Sequence, residues 1–149
     1  MTASANRYFR ILALAIAGLM LSLSASALGE DVNPEVSEDI RIKSAQEKLA
    51  ATPSIVVLYA EGLCCPSCAI GVRKKVSRLS FVDRKRFNNG VDLDAKTQLV
   101  SVAVTASLDE SGIASLSQSV WDAGYTPVRS YTMAGDEVIS TPLPGENTK

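Results

Sequence analysis

The three cysteines of this chain, Cys64, Cys65 and Cys68, lie within five consecutive positions. Cysteines this close in sequence form a local site rather than a covalent link between distant parts of a fold. Thiolate is a soft ligand that prefers Cu(I), Zn(II) or a heavier soft ion to Ca²⁺ or Mg²⁺. Two sulfurs separated by two residues can converge on one ion, so the spacing of Cys65 and Cys68 predicts a soft-metal site.

The same spacing also suits two functions that need no metal. A thiol-disulfide oxidoreductase would use Cys65 to attack a substrate and Cys68 to resolve the mixed disulfide. A structural disulfide would only fix the loop in an oxidising compartment. No tryptophan precedes the motif, and proline directly follows its first cysteine, which disfavours the oxidoreductase.

Composition narrows the functions further. The chain has 149 residues and no histidine, which removes imidazole as a metal ligand, a general base and a member of a catalytic triad. We therefore expect a protein that is not an enzyme. Its formal net charge is −1, and loss of residues 1–27, which hold two arginines and no acid, would change it to −3. That balance argues against a nucleic-acid partner.

Basic residues nevertheless cluster directly after the cysteines. The cluster consists of Arg73, Lys74, Lys75, Arg78, Arg84, Lys85 and Arg86. Such runs usually form a solvated surface, but they can also attract an acidic partner. A membrane metal transporter or another metal-binding domain could dock around Arg73, Lys74, Lys75 and Arg78.

The N-terminus has the pattern of a secretory signal peptide. Arg7 and Arg10 precede an apolar run over residues 11–23, and residues 25–27 have the Ala-x-Ala form of a signal-peptidase site. This run has 13 residues, fewer than the about 20 that span a bilayer. We expect cleavage after Ala27 and a mature protein that is periplasmic or secreted.

Breaker residues and local composition divide the remaining chain. Residues 28–53 are polar and acidic and are interpreted as a linker that could hold a short helix. Residues 134–149 contain closely spaced prolines and glycines and are interpreted as a flexible tail. The folded unit is therefore expected at residues 54–133.

Hydrophobic periodicity predicts six elements within that unit. The run 55–60 is rich in β-branched residues and predicts a strand, whereas 91–94 and 100–105 alternate as a hairpin with one buried face. Residues 127–132 supply a last strand, expected at the sheet edge because it begins with proline. Two helices carry apolar stripes: Ala69, Val72, Val76 and Leu79 in the first, which begins near Pro66, and Ile113, Leu116, Val120 and Ala123 in the second.

The order of these elements defines a fold class. Two strand-helix units flank a central hairpin, which favours an α+β domain of the ferredoxin-like βαββαβ type. We expect a four-stranded antiparallel sheet with two helices on one face. This order places the cysteines between the first strand and the first helix, where the helix N-terminus stabilises thiolates.

With its motifs in place, the stretch 54–133 resembles the heavy-metal-associated domain of copper chaperones, copper-transporting ATPases and periplasmic mercury-binding proteins. That family carries Gly-Met-x-Cys-x-x-Cys at the start of its first helix; Gly62, Cys65 and Cys68 match, and Leu63 replaces the methionine. The family's second helix commonly ends in Ala-Gly-Tyr or Ala-Gly-Phe, and residues 123–125 read Ala-Gly-Tyr.

The resemblance implies that Cys65 and Cys68 bind and transfer a soft metal ion, with Cu(I) favoured over Hg(II) or Zn(II). It implies that Tyr125 lies beside the metal loop, which Gly62 and Leu63 help to shape. Cys64 departs from the family pattern and is a third ligand, a spare thiol or an alternate disulfide partner. The segment 83–90 is also longer than the usual connection between helix and strand.

Overall fold

The computed structural model describes residues 36–65 and 67–143. The predicted signal peptide, its cleavage site and the first part of the predicted linker lie outside these residues, as do Pro66 and the last six positions. No helix within the described part of the chain combines the length and apolarity needed to cross a bilayer.

Three helices and five strands make up this part of the chain. In chain order they are α1 (Glu38–Ala51), β1 (Ile55–Glu61), α2 (Cys68–Val76), β2 (Val91–Asp94), β3 (Leu99–Ala103), α3 (Glu110–Trp121), β4 (Thr126–Ala134) and β5 (Glu137–Pro142).

The strands form one antiparallel sheet in the order β2-β3-β1-β4-β5. In the central strand β1, Val57 lies opposite Ser101 of β3 and Tyr131 of β4. The α+β class and the antiparallel sheet are confirmed, and the first four strands have an arrangement compatible with a ferredoxin-like fold. The sheet has five strands rather than four, however, and the described residues include a third helix.

The two faces of the sheet carry separate cores, because successive side chains of a strand point to opposite faces. Val56, Leu58 and Ala60 of β1 pack with α2 and α3. The side chains that these helices contribute are Val72, Val76, Leu116 and Val120. The two predicted helices therefore share one face, and this face supports the cysteine loop.

The opposite face is covered by α1, which lies within the segment 28–53 that was interpreted as a linker with a possible short helix. Ala45 and Leu49 of this helix pack against Ile55, Val57 and other buried residues of the sheet. Arg41 completes the buried stripe, and its guanidinium carbon lies 3.7 Å from the centre of the Tyr59 ring. Because an arginine occupies a core position, the apolar periodicity of the sequence is too weak to predict a packed helix.

Burial of β3 on both faces follows from the position of α1. The hairpin was expected to have one buried face, but Ser101 and Ala103, which alternate with the buried valines of β3, are buried as well. The sequence predicts the alternation of the strand correctly but gives no sign of a second covering layer.

The chain beyond residue 133 also differs from the prediction of a flexible tail. Strand β5 pairs with β4 through a two-residue turn at Gly135 and Asp136, so β4 is an interior strand rather than an edge strand. Gly135 has φ of +66°, as a hairpin turn with glycine at its first central position requires. The side chains of β5 are mostly exposed, so backbone pairing rather than a hydrophobic stripe holds this strand.

Candidate metal centre

The cysteine loop runs from the end of β1 to the start of α2, and two residues fix its path. Gly62 has φ of +89°, a left-handed conformation that side chains with a β-carbon rarely adopt. Leu63 is 2% exposed and belongs to the core beneath α2 and α3. The turn at Gly62 and the anchor at Leu63 together place the next residues, Cys64 and Cys65, at the surface.

The three cysteine sulfurs lie close together. Every pair of Sγ atoms among Cys64, Cys65 and Cys68 is within 4.8 Å. The sulfurs of Cys65 and Cys68 are 2.9 Å apart. Cys64 is exposed, whereas Cys65 and Cys68 are half-buried. The structure thus brings together all three cysteines that the sequence singled out.

All three cysteines are free thiols. The distance of 2.9 Å between Cys65 and Cys68 is longer than the about 2.05 Å of a disulfide bond. A metal–thiolate bond is about 2.3 Å long, so two sulfurs that bind one ion must move further apart than these two. The pair can therefore reach either a dithiolate complex or a disulfide through small side-chain rotations.

Tyr125 stabilises the thiolate of Cys68. Partial burial raises the pKa of Cys68, but hydrogen bonds from the Cys65 thiol, the Tyr125 hydroxyl and the backbone N–H groups of Cys64 and Cys65 outweigh it and lower this pKa to about 6. The same hydrogen bond to Cys68, with partial burial, raises the pKa of Tyr125 to about 12. Cys68 is thus prepared to bind a cation in its deprotonated form.

The pKa of Cys64 is shifted in the opposite direction. Its hydrogen bond and electrostatic interaction with Cys68 raise the pKa of Cys64 above its ordinary value. Two neighbouring sulfurs cannot both ionise easily without a cation between them. The cluster therefore holds one thiolate readily, and a bound cation would favour ionisation of the others.

The turn after α3 brings Tyr125 to the cysteine loop. The backbone N–H of Tyr125 donates to the carbonyl of Val120 at 3.3 Å, which closes the end of the helix. The Tyr125 ring then packs over the loop, where a β-carbon built on Gly62 would lie 3.7 Å from Tyr125 Cδ1. Gly62, Leu63 and Tyr125 therefore lie around the cysteine loop.

Ser67 is a neighbour of the sulfurs that the sequence reasoning missed. Its hydroxyl lies 2.9 Å from Cys65 Sγ, within hydrogen-bond distance. A serine inside a Cys-x-x-Cys loop is too ordinary a residue to predict this contact from sequence.

A cleft of about 430 Å³ opens beside Cys65, between the cysteine loop and the β2–β3 turn. Its walls combine apolar side chains with charges of both signs. Lys48 of α1 lies in this cleft, 3.9 Å from Asp92 and 3.8 Å from Asp94, so its charge is already paired. The cleft leaves one side of Cys65 accessible to an incoming ligand.

The basic cluster begins on the helix that carries Cys68, but its members are not equivalent. Lys74 and Arg78 are exposed, whereas Arg73 donates from Nε to the carbonyl of Val91 at 3.3 Å. Arg86 donates to the carbonyls of Pro53 and Ser54, which gives it a structural role. Arg73, Lys74 and Lys75 also occupy the last turn of α2, where positive charge interacts favourably with the helix dipole.

Comparison of the chain with known protein families, with functionally characterised proteins and with solved structures gives no match. The cysteine site and the fold around it are therefore the observations on which a function can be argued.

Proposed function

We propose that this protein binds a soft metal ion through the thiolates of Cys65 and Cys68 and passes the ion on by ligand exchange, without catalysing a reaction. The single observation that carries this proposal is the cluster of three cysteine sulfurs within 4.8 Å of one another. In this proposal the metal is cargo rather than a resident cofactor. The signal-peptide pattern of residues 1–27 supports action outside the cytoplasm.

The donor set decides which ions fit. The cluster offers sulfur alone, because the chain contains no histidine and the metal-ligand cluster found among the described residues contains no carboxylate. Sulfur-only sites select Cu(I), Hg(II) and Zn(II) over hard cations. We favour Cu(I), on the family resemblance of the loop, with Hg(II) and Zn(II) as alternatives.

Transfer rather than permanent storage is favoured by the position of the loop. Cys64 is exposed and Cys65 borders an open cleft, so the thiols of an acceptor can approach the ion. The basic side chains on and directly after α2, including exposed Lys74 and Arg78, would attract an acidic surface on a membrane transporter or a second metal-binding domain. Such docking weakens as salt screens the charges.

A thiol-disulfide oxidoreductase is the second candidate, favoured by the 2.9 Å approach of Cys65 to Cys68. The attacking thiol of such an enzyme must be both ionised and accessible. Here the lowered pKa belongs to Cys68, which packs against the core. An ionised but sheltered sulfur suits a metal ligand better than an attacking nucleophile.

The test is a competition titration of the purified, reduced protein under anaerobic conditions. Cu(I), Hg(II) and Zn(II) are each added against a chelator of known affinity, with wild type compared to Cys65→Ser and Cys68→Ser. We expect one ion per chain and a large loss of affinity in both variants. Binding that survives both substitutions would refute the proposed site, and catalysed reduction of a model disulfide would favour the oxidoreductase.

A further inference from the structure

Cys64 differs from the other two cysteines in how it is held. It is exposed and precedes α2 in the loop. Cys68 belongs to α2 and packs, like Tyr125, against the core. Cys65 is half-buried and lies beside the Ser67 hydroxyl. The fold thus restrains the sulfurs of Cys65 and Cys68, whereas the sulfur of Cys64 faces solvent.

The positions of the sulfurs suit three-coordinate binding. One side of the sulfur triangle is 2.9 Å, and the other two are no longer than 4.8 Å. Three sulfurs that surround one ion in a trigonal arrangement, each at the about 2.3 Å of a metal–thiolate bond, lie about 4 Å from one another. The Cys65–Cys68 pair must therefore separate from its 2.9 Å, whereas both distances from Cys64 already fall within 4.8 Å. Side-chain rotations that separate Cys65 from Cys68 would allow one ion to contact all three sulfurs.

We propose that Cys64 is a third thiolate ligand, that the site takes soft ions stable with three sulfurs, and that Cys64 is the ligand exchanged during transfer. This inference rests on the proposed function and specifies its substrate class. Cu(I) and Hg(II) need no further ligand in such a site. Zn(II) prefers four ligands and would have to recruit a fourth from solvent, so the three sulfurs discriminate against it.

The exchange step conserves both charge and oxidation state. A thiol of the acceptor forms a new sulfur–metal bond while the bond from Cys64 to the metal breaks. The proton lost by the incoming thiol goes to the Cys64 sulfur. The ion remains bound by Cys65 and Cys68 throughout, and no oxidant or reductant takes part.

Cys64 leaves first because an incoming thiol reaches it from solvent and because no packed side chain has to move. Displacement of Cys68 would instead disrupt its packing against the core. The order of release is thus set by the difference in burial among the three cysteines.

The first experiment measures the coordination of Hg(II) and Cu(I) by X-ray absorption spectroscopy. We expect three sulfur ligands in the wild-type protein and two in Cys64→Ser. The affinity of Cys64→Ser for both ions should fall at least about tenfold, since loss of even an indirect ligand contact typically costs 10 to 100-fold in affinity. Two sulfurs in the wild type, or unchanged affinity in Cys64→Ser, would overturn the inference.

A matched control separates the position of the thiol from the number of thiols. The double variant Cys64→Ser with Ser80→Cys keeps three cysteines but moves one to an exposed position beyond the far end of α2. It should behave as Cys64→Ser does. Recovery of wild-type coordination in this variant would show that any extra thiol suffices and would overturn the assignment of Cys64.

The second experiment tests the order of exchange by site-resolved alkylation with iodoacetamide, read by mass spectrometry. Loading with Hg(II) should protect all three cysteines, and added dithiothreitol should restore reactivity at Cys64 first. Unprotected Cys64, or simultaneous return of all three, would contradict the exchange order. These outcomes concern Cys64 alone, whereas failure of the proposed function would appear as binding unaffected by Cys65→Ser and Cys68→Ser.

Discussion

Replacement of Tyr125 by phenylalanine removes one hydrogen bond from the cysteine site and keeps the ring that packs over Gly62. In the wild type this hydrogen bond helps to lower the pKa of Cys68 to about 6, from an ordinary value of 9.0. A hydrogen bond to a charged group contributes about 1.5 to 3 kcal/mol. Because the site is partly open to water, we take the lower end of this range.

This energy corresponds to a change of about tenfold in the ratio of thiolate to thiol. Titration of the metal-free, reduced protein followed by thiolate absorbance near 240 nm should therefore have a higher midpoint for Cys68 in Tyr125→Phe. Site-resolved alkylation at low conversion would identify Cys68 as the group that titrates. The far-ultraviolet circular dichroism should stay unchanged, because the variant keeps the packed ring.

Tyr131→Phe provides the matched control. Tyr131 is a buried tyrosine that lies on the α1 face of the sheet, and its hydroxyl has no hydrogen-bond partner among the residues that the structure describes. Its replacement should leave the titration of Cys68 unaltered. If Tyr125→Phe and Tyr131→Phe have equal effects, or if neither changes the midpoint, the role of Tyr125 in stabilising the thiolate is refuted.

Three further predictions concern stability. The pKa of Cys68 is lower in the folded protein than in the unfolded chain. The metal-free protein should therefore gain stability as the pH rises from 6 towards 9, and it should lose this stability as the pH falls through 6. Thermal denaturation of Cys68→Ser should lack this pH dependence. Gly62→Ala should lower the free energy of unfolding in urea by about 1 to 2 kcal/mol, because Gly62 has a positive φ. Gly71→Ala, within α2, should raise it by up to about 1 kcal/mol. Equal effects of the two substitutions would contradict the backbone role assigned to Gly62. Arg41→Ala should cost about 2 kcal/mol through loss of its contact with Tyr59 and its hydrogen bonds to the carbonyls of Thr97 and Val36, with Arg41→Lys recovering only part. Metal affinity should stay unchanged in both Arg41 variants, since this residue lies on the face opposite the cysteines, and a loss of affinity would contradict that separation.

The elements that position the cysteines could be predicted because their side chains follow simple periodicities. The stripes Ala69-Val72-Val76 and Leu116-Val120 are buried as expected, and β1 was recognised from its run of β-branched residues. These segments bury apolar side chains on a regular face, which is the signal that sequence preserves best. The antiparallel order of the first four strands followed from the succession of elements.

The second layer of the fold could not be predicted in this way. Helix α1 buries an arginine, an alanine and a leucine, so it lacks a clear apolar stripe. Strand β5 pairs with β4 through its backbone, and its side chains alternate only between exposed and half-buried, so the strand carries no apolar stripe that would identify it. The glycine–aspartate pair at residues 135–136 is a hairpin signal, but the nearby prolines favour an unstructured tail.

The candidate site likewise has one part that the sequence predicts and one part that it does not. The spacing of the cysteines was sufficient to predict that they share a site, because local sequence constrains local geometry. The position of Tyr125 beside Cys68 depends on the turn after α3, about sixty residues along the chain from the loop, which local sequence around the cysteines does not encode. The contact of Ser67 with Cys65 depends on side-chain rotation, which sequence does not encode.

Native mass spectrometry of the reduced protein loaded with limiting Cu(I) tests the central claim most directly. The account predicts one copper ion on the wild-type chain, retained in the presence of a competing chelator, and none on the double variant Cys65→Ser/Cys68→Ser. Equal copper occupancy of the two proteins would contradict the account, because the ion would then be bound elsewhere on the chain.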